Sequence, residues 1–415
     1  MKNLNNQPWQ VTMAVLSVGS IFSSIIYTMV VPFLPMYLMN ECGVTLTDVK
    51  LWSGICFSAT FLISGIMGPI WGAIGDKHSL KMMAIRAALL LGVAYAMGGF
   101  VHTVWGFLFV RCFQGFASGL IPASLAILSS VVPKKRLALN IGILQSAMTV
   151  GGIIGPFVGG WLAEVTSMRM SFYIGGVALI LVGIAYIFLV PEPKKNERAE
   201  AARRRESEGR PVEEKGLNRK LVSQPLVMRM LVTTAVMQLT IYVVQPIMPL
   251  YIGELRGTMD QIVFITGIVF SIVGVASMIS SPLWGALGSR WNYRDTLYTA
   301  LFTAGVFGII QAVPSTLEGF TVWRFITGFC FAGIAPTAVA ILTAGVEQRY
   351  RGRLFGLNYA AQQCGNFVGP LLGGAMASFM PYWSVLVFSG VALLVVLAWL
   401  VLTRHNVDTS GLDAA

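Results

Sequence analysis

Val30–Leu38, VVPFLPMYL, returns 214 residues later as Val244–Ile252, VQPIMPLYI, so that Pro32, Pro35 and Tyr37 match Pro246, Pro249 and Tyr251. Other segments repeat at 213 or 214 residues in the same order. GPIWGAIGDK from Gly68 matches SPLWGALGSR from Ser281, Arg111 and Gly115 match Arg324 and Gly328, and GIIGPFVGG from Gly152 matches NFVGPLLGG from Asn366. Self-similarity at one fixed offset makes the second half a copy of the first.

The chain of 415 residues is 55% hydrophobic and 11% charged, with a mean hydropathy of +0.72, which is membrane rather than soluble composition. Apolar stretches long enough to cross a ~30 Å hydrocarbon core recur throughout. Twelve are expected, at 11–38, 51–74, 83–101, 105–130, 138–163, 171–190, 228–251, 262–287, 296–313, 319–344, 354–379 and 383–402. They must be helices, because unpaired backbone groups are too costly in lipid and a barrel needs alternating strands of about ten residues. The expected fold is therefore all-α and integral to the membrane, with twelve transmembrane helices in two pseudo-symmetric six-helix bundles. The bundles are 1–190 and 226–415. Between them 191–225, with PEPKK and RRRESEG, reads as a cytoplasmic linker too polar to bury a core. An offset of six spans gives both halves one orientation, related by an axis along the membrane normal, with substrate between them.

Net charge is +11, yet the basic residues are one-sided. Of 29 Lys and Arg, only Lys50, Arg169 and Arg256 fall on the outer side of this topology, and Arg111 and Arg324 lie well inside spans. That bias places both termini in the cytoplasm of an inner (plasma) membrane protein and excludes nucleic acid as the reason for the charge. The first span is too long for a signal peptide and is expected to remain as a helix. No disulfide is expected, since Cys56, Cys112, Cys330 and Cys364 fall inside spans and Cys42 stands alone outside.

At these motifs the sequence resembles the major facilitator superfamily, and within it the twelve-helix bacterial drug:proton antiporters of the MdtG type, over nearly the whole chain. The family's loop signature between spans two and three appears as GAIGDKHSLK, with Gly72, Asp76, Lys77 and Lys81; Ser79 stands where glycine is usual. Its fourth-span signature appears as Arg111, Gln114 and Gly115, and the fifth-span signature associated with antiporters as Gly151, Gly155, Pro156, Gly159 and Gly160. The resemblance implies a monomeric secondary transporter that exports small lipophilic or cationic drug-like compounds by proton antiport with alternating access. These residues would then serve gating and coupling. Export or import of an endogenous metabolite, sugar or lipid on the same fold is the alternative.

The residues support this reading physically. An Arg inside a span costs at least ~2.5–3.5 kcal/mol on insertion scales, so Arg111 should face a wet cavity or a carboxylate, or else backbone carbonyls of the first span. Arg324 should snorkel or pair with Glu318. The glycines of the fifth span clear one helical face for a close neighbour, and Pro156 permits a bend. Asp76 is placed to cap a helix or to pair between the halves, latching the cytoplasmic side, and Ser289 and Arg290 replace it in the repeat. Ser23, Ser24, Tyr27 and Thr28, then Gln238, Tyr242 and Gln245, then Asn358, Gln362 and Asn366 are candidate cavity residues, a neutral set suited to lipophilic or cationic substrates. No span has a carboxylate at its middle, which leaves the proton carrier open among Glu41, Asp48, Asp76, Glu254 and Glu318. No GxxxxGK[ST] sequence is present, and His78, His102 and His405 read as isolated, so neither an ATP-driven pump nor an enzyme nor a metal or cofactor site is expected.

Overall fold

The expected all-helical architecture is present in the computed structural model, which describes residues 8–192, 221–346 and 351–403. The side chains of Asp76, Lys77, Lys134, Lys135, Ala138, Arg351 and Gly352 fall outside the description. Most of the expected linker and His405 also lie outside the described residues.

Sixteen α-helices occur among the described residues, and no strand. The first half contains α1 (Trp9–Met29), α2 (Leu34–Asn40), α3 (Val49–Lys77), α4 (Leu80–Phe100), α5 (Val104–Ala117), α6 (Leu120–Val131), α7 (Lys134–Val165) and α8 (Met168–Leu189). The second contains α9 (Pro225–Val243), α10 (Met248–Arg256), α11 (Ile262–Arg290), α12 (Tyr293–Ile310), α13 (Leu317–Phe331), α14 (Ile334–Ala344), α15 (Arg351–Phe379) and α16 (Tyr382–Leu402). Ten stretches are long and apolar enough to cross a membrane. The remaining two expected spans fall on α12 and α15. Arg294 and Asp295 open the first of these, and Asn358, Gln362, Gln363 and Asn366 make the second more polar.

Four expected spans are each interrupted, and the interruptions repeat. The first breaks at Val30–Phe33 around Pro32, with Pro35 inside the first turn of α2. The seventh breaks at a short 3-10 turn, Gln245–Ile247, around Pro246. Proline removes a helical donor, so neither segment can continue its ladder. The fourth and tenth break at Gly119 and Gly333. Gly119 has φ 118°, a left-handed conformation that glycine tolerates, and a Cβ on Gly333 would lie 2.5 Å from the Trp284 ring.

The chain divides into two compact units. Unit 1 draws on Met1–Thr45, Ala59–Arg210 and Val263–Ser271, and unit 2 on Leu46–Ser58, Pro211–Ile262 and Ile272–Ala415. The first turns of α3 thus pack within unit 2, and those of α11 within unit 1. In unit 1 the main helix pairs are α4 with α8 and α1 with α7; in unit 2 they are α12 with α16 and α9 with α15.

Repeated sequence makes repeated contacts. Tyr37 packs on Phe107 with ring centroids 5.1 Å apart in unit 1, and Tyr251 packs on Phe320 at 5.1 Å in unit 2. The tryptophan of each Trp-Gly motif donates to the carbonyl of a facing helix, Trp71 Nε1 to Phe116 at 2.8 Å and Trp284 Nε1 to Phe329 at 2.9 Å. Each pair ties a motif read in the sequence to a polar or aromatic contact between helices, which a membrane protein uses in place of a hydrophobic drive. Large apolar side chains such as Val18, Phe22, Leu181, Phe188 and Val395 point outward, as lipid-facing residues do.

Candidate functional site

In unit 1 the site is built on α5. Thr103 caps this helix, its Oγ1 accepting from the Gly106 N–H at 3.2 Å. Two turns on, Arg111 is 4% exposed and Gln114 2%. The guanidinium donates through one Nη to Gln114 Oε1 at 3.0 Å and lies 5.3 Å from the centroid of the Phe107 ring. Residues three and four apart share a helical face, so the motif supplies its own neutral acceptor and aromatic floor for the cation. Gly115 admits α3 on the neighbouring face: a Cβ there would lie 2.6 Å from the Thr60 carbonyl, and Thr60 Oγ1 donates to the Arg111 carbonyl at 3.1 Å. Gln114 Nε2 is buried without an acceptor.

Gly151, Gly155 and Gly159 form one face of α7 against α1. A Cβ on Gly151 would lie 2.5 Å from the Ile21 carbonyl, and one on Gly155 2.6 Å from that of Ile25. Gly159 meets the Met29 backbone, and Gly160, on the next face, meets Val263 and Phe264 of α11, with Pro156 inside the helix. Thr28 lies in the α1–α7 seam, with Oγ1 turned back on the Ser24 carbonyl at 2.9 Å, and contributes packing rather than a free hydroxyl. Tyr27 is exposed, its ring edge-on to Phe61 with centroids 6.2 Å apart.

Unit 2 carries the neutral polar set on the paired helices α9 and α15. The Cβ atoms of Gln238 and Tyr242 lie where side chains on Gly365 and Gly369 would stand, at 2.8 and 3.0 Å. Thr234 Oγ1 donates to buried Asn358 Oδ1 at 3.0 Å, and Asn366 Nδ2 donates to Gln363 Oε1 at 2.9 Å. Gln362 is half-buried on the same helix. Two buried acceptors, Asn366 Oδ1 and Gln245 Oε1, have no donor. Gly373 meets the Val243 backbone, extending the glycine face.

The loop signature is described in part. Gly72 faces open space, and Asp76 and Lys77 end α3 with side chains outside the description. Lys81 Nζ donates to the Ile187 carbonyl at 2.8 Å. Ser79, the departure from the usual glycine, has φ −141° and caps α4, its Oγ accepting from the Met82 N–H at 2.9 Å. The position needs a cap rather than left-handed freedom, which serine supplies better than glycine.

Two expectations are corrected. Arg324 does not pair with Glu318; it donates to Gln311 Oε1 of the α12 end at 3.2 Å, because Gln311 is fully buried and faces it. His102 is not isolated: Arg169, which pairs with Glu41, also donates to the Gly99 carbonyl at 3.1 Å and lies 2.7 Å from His102 Nδ1. Beside them burial pushes the Cys42 thiol up to about 11, with Arg169 opposing and Glu41 adding to the effect. Sequence reading also passed over Ser58 and Ser271, although GICFS from Gly54 and GIVFS from Gly267 repeat at the same offset of 213.

Repeated units, ten long apolar helices and buried polar groups along tightly paired helices define a multi-pass membrane transporter. The family model described as Major Facilitator Superfamily matches residues 16–317 and 230–413, and the chain belongs to this superfamily. It is 30% identical over 414 residues to "Multidrug resistance protein MdtG" of Escherichia coli O81 (strain ED1a), covering 98% of this chain and 99% of that protein. The same identity holds over 403 residues with the protein of that name from E. coli K12 / DH10B, covering 96% of each. Among solved structures, a bacterial homolog of the human lysosomal transporter Spinster, inward-facing and occupied, superposes with a TM-score of 0.77 at 15% identity, covering 96% of this chain and 98% of that one. A point mutant of the nucleoside transporter NupG gives 0.77 at 12% identity, covering 94% and 98%. These two share the fold, and the superfamily identifies the chain as a transporter rather than an enzyme.

Proposed function

We propose that the chain exports small lipophilic or cationic drug-like compounds from the cytoplasm by proton antiport, through alternating access, as a monomer in the inner membrane with both termini cytoplasmic. The observation that carries the substrate class is the buried neutral set of unit 2, where Asn366 Oδ1 and Gln245 Oε1 are acceptors without donors. A buried acceptor left unpaired costs about 1–3 kcal/mol, which a ligand N–H relieves without a countercharge. The name of the relatives that span 98% of the chain, multidrug resistance protein, points the same way. In this reading Gln238, Tyr242, Gln245, Asn358, Gln362, Asn366, Tyr27 and Thr28 surround or shape the substrate path. Arg111, with Gln114 and Gly115, serves coupling. Gly72, Asp76, Lys77 and Lys81 latch the cytoplasmic side, and the glycines of α7 with Pro156 form its moving seam.

The test is reconstitution in proteoliposomes with a pH-sensitive dye inside, adding lipophilic cations, drug-like amines and sugars to wild type, Asp76→Asn and Arg111→Ala. Substrate-evoked proton movement that Arg111→Ala abolishes is expected. Proton movement evoked by a sugar, lipid or metabolite, with none from the amines, would replace the drug assignment with that substrate.

A further inference from the structure

The repeated pentapeptides GICFS and GIVFS end on serines that make the same bond in each unit. Ser271 Oγ donates to the Ile153 carbonyl at 2.6 Å within unit 1, and Ser58 Oγ donates to the Phe367 carbonyl at 2.6 Å within unit 2. Ile153 stands three residues before Pro156, and Phe367 three before Pro370. Each proline removes the helical donor of the carbonyl one residue earlier, at Gly152 or Asn366, and weakens the ladder around it. Each serine bonds to the carbonyl next to the orphaned one, adding an interhelical bond beside the bend.

The helices pack closely beside each serine. A Cβ on Gly267 would lie 3.4 Å from the Phe157 Cα and 3.1 Å from the Pro156 carbonyl carbon. One on Gly54 would lie 3.2 Å from the Pro370 carbonyl carbon and 3.4 Å from the Gly374 Cα. A turn further, Gly160 faces the Val263 carbonyl at 2.8 Å, and Gly374 faces the Leu51 Cα at 3.3 Å. Bare backbone lies against bare backbone at both places, with a serine hydroxyl bonded across each. These are also the places where α11 lends its first turns to unit 1 and α3 lends its own to unit 2.

We propose that Ser58 and Ser271 are paired positioning residues of the transport cycle: each clasps the first turns of its helix to the proline bend of a partner helix and must release for turnover. This deepens the alternating-access reading and rests on it. Glycine contact brings the helices together but has no direction, so it cannot fix one register; a hydroxyl bonded to a single carbonyl can. A bond of this kind in a membrane bundle is worth about 0.6 kcal/mol, near threefold in an equilibrium, which is firm enough to bias a state and weak enough to break in each cycle.

The experiment compares wild type, Ser58→Ala, Ser271→Ala, the double variant and the two Ser→Thr variants, which keep the donor. Hydrogen–deuterium exchange without substrate should speed about threefold at 262–271 and 153–160 in Ser271→Ala, and at 49–58 and 367–374 in Ser58→Ala. Exchange elsewhere and the global Tm should stay unchanged, with Thr restoring protection. In proteoliposomes the alanine variants should change kcat by a similar factor while KM holds. Unchanged exchange in the double variant overturns the proposal, as does loss of protection across the whole chain in both the Ala and Thr variants. Local exchange that speeds as expected while no compound moves protons would uphold the clasps and sink the antiport reading instead; proton movement with unchanged exchange would do the reverse.

Discussion

Arg111 shows how a single residue carries both cost and use in a membrane helix. Its charge is held by Gln114 on the same helical face and by the Phe107 ring one turn away. Gln114→Leu keeps the volume but removes the acceptor, and a bond to a charged group is worth about 1.5–3 kcal/mol. The variant should lose most transport while its helix content, read by circular dichroism, stays intact. Gln114→Glu, which keeps an acceptor oxygen, should retain more transport than the leucine. Cys42 provides a test of the Arg169 cluster. Its thiol is pushed from an ordinary value of 9.0 up to about 11, so at a given pH below 9 it holds less of the reactive thiolate. Alkylation of Cys42, followed by peptide mass spectrometry, should run slower than that of an unperturbed thiol. Raising the pH towards 11 should restore the rate.

At the scale of elements, the α1–α7 seam makes the sharpest distinction between neighbouring glycines. A methyl at Gly155 would meet the Ile25 carbonyl at 2.6 Å and the Thr28 hydroxyl, whereas one at Gly152 meets nothing within 4 Å. Overpacking typically costs 1–3 kcal/mol, while alanine in an open helical position gains up to about 1 kcal/mol over glycine. Gly155→Ala should therefore lower the Tm in detergent, and Gly152→Ala should leave it unchanged or raise it. The periodicity of GGIIGPFVGG makes the face legible in the sequence, since positions four apart stack on one side. Which helix fills that face is not written there. The breaks at Pro32, Gly119, Pro246 and Gly333 are legible only in retrospect, because hydropathy runs through them uninterrupted while backbone geometry does not.

For the whole molecule, the one-sided distribution of Lys and Arg makes a topological prediction. A fluorescent protein that matures only in the cytoplasm, fused after Ala415, should be bright, and an alkaline phosphatase fused there should be inactive. A fusion in the loop after α2, near Cys42, should give the opposite pattern. Reversed signals would overturn the assigned orientation without touching the fold. The two units add a feature beyond topology, since each takes up the first turns of a helix whose remainder belongs to the other.

The sequence by itself determined the helical class, the family and the repeat. Each of these is local or periodic: lipid forces the backbone of an apolar stretch to satisfy itself, and a duplicated segment can be recognised wherever it lies. It also marked Arg111, Gln114 and the glycine face as unusual. Only the tertiary structure decided the partners: Arg324 with Gln311, Glu41 and His102 with Arg169, Thr234 with Asn358, and the two serines with carbonyls beside Pro156 and Pro370. Most of these pairs join residues far apart in the chain, and neither local charge nor period announces the partner. Such pairs form only once helix packing brings the groups together, and a buried hydroxyl or amide must then bond to whatever faces it.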